Sequence, residues 1–406
     1  MIVRNIAMLG HKDHGKSTLI GSILMLTGAA TQVRVNEAKA YSKKFGKKFE
    51  PAFILDSFEE ERAGGLTIDT TRAETKYKDM ALEFIDVPGH EELIKNMMSG
   101  ASYANAGILV VSAKSNEGIR DQTKRHVFVA KMLGIEKLVV AVNKMDTVRY
   151  SKERYDSIKN EIENFLVATG FEKNDFSFVP ISAYGGENLV EKSDKIKWYN
   201  GKPLLESLYA LSKLGGKDKC SDLRATVQGY IDQGDNTVLA ARILSGTLKK
   251  GQKISVFPGA NSYVVKHILV KGRKVSSAVA GVSAAIKIDA PLSNPRGAVI
   301  SSGKKPIVSN EIKARVFATL HIRNRSKLEL KLSSEEAQCK SVQIKNIINI
   351  TKGVEESGSS IKPLGAAVVR LTLNKAIVME KYSNLKSLGR FTIYLGGKFA
   401  GIGIVE

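Results

Sequence analysis

The stretch Gly10-His11-Lys12-Asp13-His14-Gly15-Lys16-Ser17 decides how the chain is read. It fits the phosphate-loop pattern of a glycine, four residues and then Gly-Lys-Ser. The apolar run at 2–9 predicts a buried strand before it, and residues 18–26 predict a helix after it. The two glycines let the backbone curl, so that successive N–H groups and the helix N-terminus converge on a polyanion. Lys16 then reaches the β- and γ-phosphates, and the Ser17 hydroxyl is free for Mg²⁺. Taken alone, the pattern also suits a glycine-rich turn with a chance lysine. Four further motifs decide between the two.

Working outward, apolar strands alternate with helical patterns. Strands are predicted at 81–86, 107–112, 138–143 and 176–181, and helices at 91–100, 122–133, 151–169 and 203–213. Such alternation implies βαβ units, hence an α/β P-loop domain with a doubly wound, mostly parallel sheet over residues 1–215. After Gly215-Gly216-Lys217-Asp218 the pattern changes. Short β-branched runs and turns such as Gly246-Thr247-Leu248-Lys249-Lys250-Gly251 predict two all-β barrel domains, 216–307 and 308–406.

The composition is that of a folded protein, 43% apolar and 25% charged. No apolar run reaches membrane-spanning length, and Met1 leads straight into the first strand, so a soluble, cytoplasmic, monomeric protein is expected. Cys220 and Cys339 form neither a disulfide framework nor a metal-ligand spacing. Charge is unevenly placed. Residues 1–215 hold 31 Lys and Arg against 28 Asp and Glu, whereas residues 216–406 hold 31 against 13, so +18 of the net +21 falls in the second half. That surplus suits a polyanionic partner, RNA first among them.

The remaining motifs specify the base. Asp86-Val87-Pro88-Gly89-His90 follows a strand: Asp86 suits a Mg²⁺-bound water, and the Gly89 N–H suits a γ-phosphate. In Asn143-Lys144-Met145-Asp146 the Asp146 carboxylate can accept from the guanine N1–H and 2-amino group while Lys144 lies along the base. Adenine offers no such donor pair. Ser182-Ala183 ends the last strand, where the Ala183 N–H can donate to guanine O6, and Thr18 and Tyr184 complete the expected nucleotide contacts. Motifs in this order, each at the C-terminal end of a strand, point to GTP and GDP.

The fifth motif runs Asp56-Ser57-Phe58-Glu59-Glu60-Glu61-Arg62-Ala63-Gly64-Gly65-Leu66-Thr67-Ile68-Asp69. With the others it resembles the translational GTPases, elongation factor 1-alpha and elongation factor Tu in particular. Near the end, Glu380-Lys381-Tyr382-Ser383 and Leu388-Gly389-Arg390-Phe391 are similar to the third domain of elongation factor 1-alpha. The resemblance implies that Thr67 binds Mg²⁺ and the γ-phosphate, that His90 orients the hydrolytic water, and that Asp13 assists a monovalent cation. It also implies aminoacyl-tRNA and the ribosome as partners, and it allows a guanine-nucleotide exchange factor.

The chain departs from that family in places. Lys12 stands where relatives carry a valine that shields the catalytic histidine, and its long side chain is expected to find solvent. Gly64 replaces an arginine or glutamine. Residues 235–242 lack the usual turn glycines, and residues 323–338 lack the His-x-His-Thr segment that helps grip tRNA. Two other relatives share the core motifs: the GTPase subunit of heterodimeric ATP sulfurylase, whose second domain residues 256–261, 288–289 and 295–297 resemble, and the release- or rescue-factor GTPases.

Overall fold

In the computed structural model the described residues are 2–44, 49–55, 71–86, 106–115, 117, 121–213, 219–232, 237–350 and 354–406. The chain divides into two compact units, one of residues 1–216 with 350–353 and one of residues 217–349 with 354–406.

The first unit is built on a six-stranded sheet. Its strands are β1 (Ile2–Leu9), β2 (Thr71–Tyr77), β3 (Met80–Asp86), β4 (Ala106–Ser112), β5 (Lys137–Asn143) and β6 (Phe176–Pro180), in the order β2-β3-β1-β4-β5-β6. All neighbours are parallel except β2, which runs antiparallel to β3 at the edge. β4 is buried along its whole length, as expected of an Ala-Gly-Ile-Leu-Val-Val-Ser run covered on both faces. The described helices are α1 (Lys16–Leu26), α2 (Gln32–Lys44), α3 (Asp121–Met132), α4 (Lys152–Ala168) and α5 (Leu204–Lys213). Ile20 and Ile23 of α1 and Leu204 and Leu208 of α5 join Ile6, Phe84, Ile108 and Val139 in the core.

From β1 the chain goes to β3 on one side and returns to β4 on the other, so strand order reverses between β1 and β4. Ligands of open α/β sheets bind at such a reversal, beyond the carboxyl ends of the strands. Two elements escaped the periodicity. β2, Thr-Arg-Ala-Glu-Thr-Lys-Tyr, is a polar edge strand with no apolar run, and α2 has few apolar positions. The expected helix at 91–100 lies outside the described residues.

The second unit holds two barrels. In the first, antiparallel strands Lys253–Phe257, Val299–Ser302, Leu223–Asp232, Thr237–Ser245, Ser283–Ile288 and Asn261–Val270 follow one another, and the last pairs with the first to close a six-stranded ring. In the second, Leu328–Leu332, Arg390–Leu395, Lys398–Val405, Ile307–Ala318, Gly365–Met379 and Glu335–Asn349 close in the same way. Closure pairs every strand edge around the ring.

A buried ion pair joins the barrels. Arg224 of the first, 1% exposed, donates through Nε to Glu380 Oε1 of the second at 2.9 Å. Its other nitrogens reach the Leu223 and Lys304 carbonyls and Ser301 Oγ, and Asn384 Nδ2 donates to Glu380 Oε2. Every donor of the fork has an acceptor close by, which is what makes a buried guanidinium tolerable.

Candidate nucleotide-binding site

The phosphate loop follows β1 at the strand-order reversal. Its shape depends on two glycines in the left-handed region, Gly10 at φ 123° and Gly15 at φ 88°. A Cβ on Gly10 would stand 2.2 Å from the Val110 carbonyl oxygen of β4, and one on Gly15 would stand 2.6 Å from Asn143 Nδ2. No other residue type fits either place. Between them Lys12–His14 form a short 3-10 turn, with the His11 ring accepting the Asp13 N–H. Asp13 is exposed, and Thr18 and Ser17 are half-buried in the first turn of α1. Helix α1 opens at Lys16, so the N–H groups of its first turn face the loop.

Three side chains tie the loop to the sheet. His14 is fully buried; its Nδ1 lies 3.2 Å from the Val110 carbonyl, and its own carbonyl accepts from Asn143 Nδ2 at 2.9 Å. Burial holds this imidazole neutral, with its pKa lowered to about 4. From α3, His126 Nδ1 accepts the Gly10 N–H at 3.3 Å. Asn143, at the end of β5, accepts the Ala183 N–H at 2.8 Å with its remaining oxygen, joining the phosphate loop to the turn after β6. The Ala183 N–H, expected to face guanine O6, therefore already has an acceptor.

Lys16 curls over its own loop, donating to the Gly10 and His11 carbonyls at 3.2 and 3.3 Å. Those weak bonds hold its ammonium where phosphate oxygens would compete for it. Asp86 closes β3 beside β1, whose Ala7 pairs with Ile85. A hydroxyl at Ser17 and a carboxylate at Asp86 are hard oxygen donors of the kind Mg²⁺ takes, so the donor set fits that ion. Thr67, Gly89 and His90, and with them Gly64, lie outside the described residues, as do the side chains of Lys12 and Asp86.

At the base end, Asp146 is exposed, and its Oδ1 accepts from Ser182 Oγ at 2.7 Å. Tyr184 is 55% exposed on the same turn. Lys144 adopts φ 62° and donates to Glu117 Oε2 at 2.9 Å. The Ser112 hydroxyl and the Lys144 ammonium hold the Glu117 carboxyl well below the usual carboxylate range, so it stays anionic. The structure thus brings together loop 10–18, Asn143, Lys144, Asp146 and residues 182–184. It adds His126 and Glu117, which belong to no phosphate or base motif and carry no signal of their own in a single sequence.

Comparison with known proteins gives the family. The family model of the elongation factor Tu GTP binding domain matches residues 1–214, and that of the GTP-eEF1A C-terminal domain matches residues 311–406. The chain is similar to elongation factor 1-alpha of Hyperthermus butylicus, 35% identical with 99% of this chain and 95% of that protein covered. To the same factor of Saccharolobus solfataricus it is 34% identical, covering 99% of this chain and 96% of that protein. A solved structure of sup35 complexed with GDP aligns with 100% of this chain and 93% of its own, at 24% identity and a TM-score of 0.43.

Proposed function

Because the chain belongs to the elongation-factor family of GTP-hydrolysing enzymes, with the elongation factor Tu GTP-binding domain at its N-terminus, we propose that it is a GTP-switched carrier of aminoacyl-tRNA to the ribosome. The observation that carries the tRNA part of this reading is the surplus of +18 on residues 216–406. It sits on two closed barrels. One barrel face crowds Lys274, Lys250 and Lys287 around His267, and burial and then these three cations push the imidazole pKa down. Phosphates would relieve that crowding and release their condensed counterions.

In this reading the loop between Gly10 and Gly15 and the first turn of α1 hold the phosphates. Lys16 exchanges its carbonyl partners for β- and γ-oxygens, which neutralises charge as the γ-phosphoryl leaves. Ser17 and Asp86, with Thr67, would hold Mg²⁺, which when bound would supply charge neutralisation at the phosphates. Asn143 keeps the phosphate and base loops at a fixed spacing. Asp146, steadied by Ser182, takes the guanine N1–H and 2-amino group, while Lys144 and Tyr184 flank the base and Ala183 N–H shares its proton between Asn143 and O6. His90 orients water at the γ-phosphate. Loss of that phosphate releases Thr67 and the segment after Asp86, and the cargo-binding form is lost with it. Such a protein works in the cytoplasm, and an exchange factor would speed GDP release.

The test is GTP-dependent protection of aminoacyl-tRNA from deacylation, run beside sulfate-dependent release of pyrophosphate from ATP. Protection with GTP and none with GDP supports the carrier reading. Pyrophosphate release without protection moves the protein to the sulfurylase subunits.

A further inference from the structure

The turn after β6 closes over a buried carboxylate that the chemistry above does not use. Ser182 and Glu187 exchange backbone hydrogen bonds of 3.3 and 3.1 Å, folding Ala183, Tyr184, Gly185 and Gly186 into a tight loop. The Glu187 side chain, 6% exposed, tucks back beneath that loop. A Cβ on Gly185 would stand 2.0 Å from Glu187 Oε2. Gly185 is not in the left-handed region, so it is the carboxylate, and not backbone conformation, that excludes a side chain there.

Two partners flank this acid. Lys195, on the 3-10 turn Asp194–Ile196, donates to Oε1 at 2.6 Å, while Oε2 accepts no hydrogen bond among the described residues. Tyr150 faces it from the segment that begins at Asp146; burial and then the Glu187 charge raise the phenol pKa. The Tyr150 carbonyl is itself fixed by Trp198 Nε1 at 2.8 Å. Glu187 therefore sits between the two loops that meet the base. A carboxylate buried this deeply is costly unless it is paired, and Lys195 pairs it through one oxygen.

We propose that Glu187 is a specificity-positioning residue. Clamped by Lys195, its carboxylate props the 182–187 turn at the height where Gly185 N–H reaches Ser182 Oγ, at 3.2 Å, and Ser182 Oγ reaches Asp146 Oδ1, at 2.7 Å. That chain of bonds sets the rotation of the Asp146 carboxylate, and so the strength of its bond to a purine 2-amino group. The inference rests on the guanine assignment of Asp146.

The experiment measures the affinities of GDP and IDP, which differ only in the 2-amino group, by displacement of a fluorescent GDP analogue from the full-length protein. Glu187→Gln and Glu187→Ala each lower the GDP-to-IDP preference by about tenfold, the scale of one charge-assisted hydrogen bond. Gly185→Ala does the same in the native background, yet adds less than about twofold on top of Glu187→Ala, because the collision it causes is then gone. If these variants weaken both nucleotides alike and leave the preference intact, Glu187 is a packing residue and the inference is overturned. A wild-type protein that binds GDP and IDP equally would overturn the guanine assignment itself, a distinct result, and this inference with it.

Discussion

Residues 1–215 carry almost balanced charge and five short motifs, while residues 216–406 carry +18 and no motif of comparable specificity. On the proposed reading, the difference reflects what each half recognises. A nucleotide is small, and each of its atoms needs one particular group within hydrogen-bond reach, so residue types recur at fixed spacings after successive strands. A polyanion needs only an excess of cations on a surface. Their individual positions are exchangeable, and they leave a count and no pattern. The barrels also owe their assembly to a pairing that no spacing reveals, since Arg224 and Glu380 are 156 residues apart.

The largest effect should come from breaking that joint. Arg224→Ala leaves Glu380 buried without its cation and is expected to destabilise the barrel unit by about 3–5 kcal/mol, read from denaturant unfolding. Replacing both partners, Arg224→Met with Glu380→Leu, recovers most of that loss. Nucleotide affinity changes far less in either variant, which sharpens the contrast between the halves.

Next in size is Asp146→Asn, confined to the nucleotide half. GTP affinity falls by about 10²-fold or more, because an amide cannot accept both guanine donors, while xanthosine triphosphate gains. Competition titrations with the two triphosphates check it. Equal loss for both would remove Asp146 from base recognition.

These two cases mark what the sequence discloses. The alternation of strands and helices, the phosphate loop and the barrel character of residues 219–406 are legible because each rests on local periodicity or on a motif confined to one turn. β2 is not, since an edge strand that alternates Thr, Arg, Glu and Lys with Ala and Tyr has no apolar run to betray it. Glu117 and Glu187 are not legible either. Each is a lone acid whose role appears only when folding sets it beside Lys144 or beneath Gly185. Glu380 stands between the two. Its Glu-Lys-Tyr-Ser setting marks a resemblance, but its partner is visible only in the fold.

A third effect follows from His14, whose burial lowers the folded pKa from 6.5 to about 4. The unfolded chain takes up this proton at a higher pH than the folded one. Stability from this group is therefore complete above about pH 6.5 and declines as pH falls from there towards 4, by up to about 3 kcal/mol. Melting of the wild type against His14→Gln across that window isolates the contribution, which the variant lacks. A parallel decline in both proteins would assign the acid sensitivity elsewhere.

The smallest effect concerns single clusters on the barrels. Arg323 ends the short strand Ile322–Arg323, and Arg325 and Lys327 follow it before strand Leu328–Leu332; all three are exposed, and among the described residues none of them forms an ion pair. Reversing all three charges is expected to weaken RNA binding by about 1 kcal/mol and to flatten its salt dependence, as measured by filter binding. Nucleotide affinity serves as the control.

The central claim joins the two halves: a guanine nucleotide held by the first governs RNA held by the second. Titration of the full-length protein with aminoacyl-tRNA, in its GTP and GDP forms and across a series of salt concentrations, tests it most directly. The account predicts tighter binding with GTP and a fall of log K with log salt at a slope of about −3 or steeper, as several phosphate contacts require. Absence of RNA binding in both forms at physiological salt would contradict it.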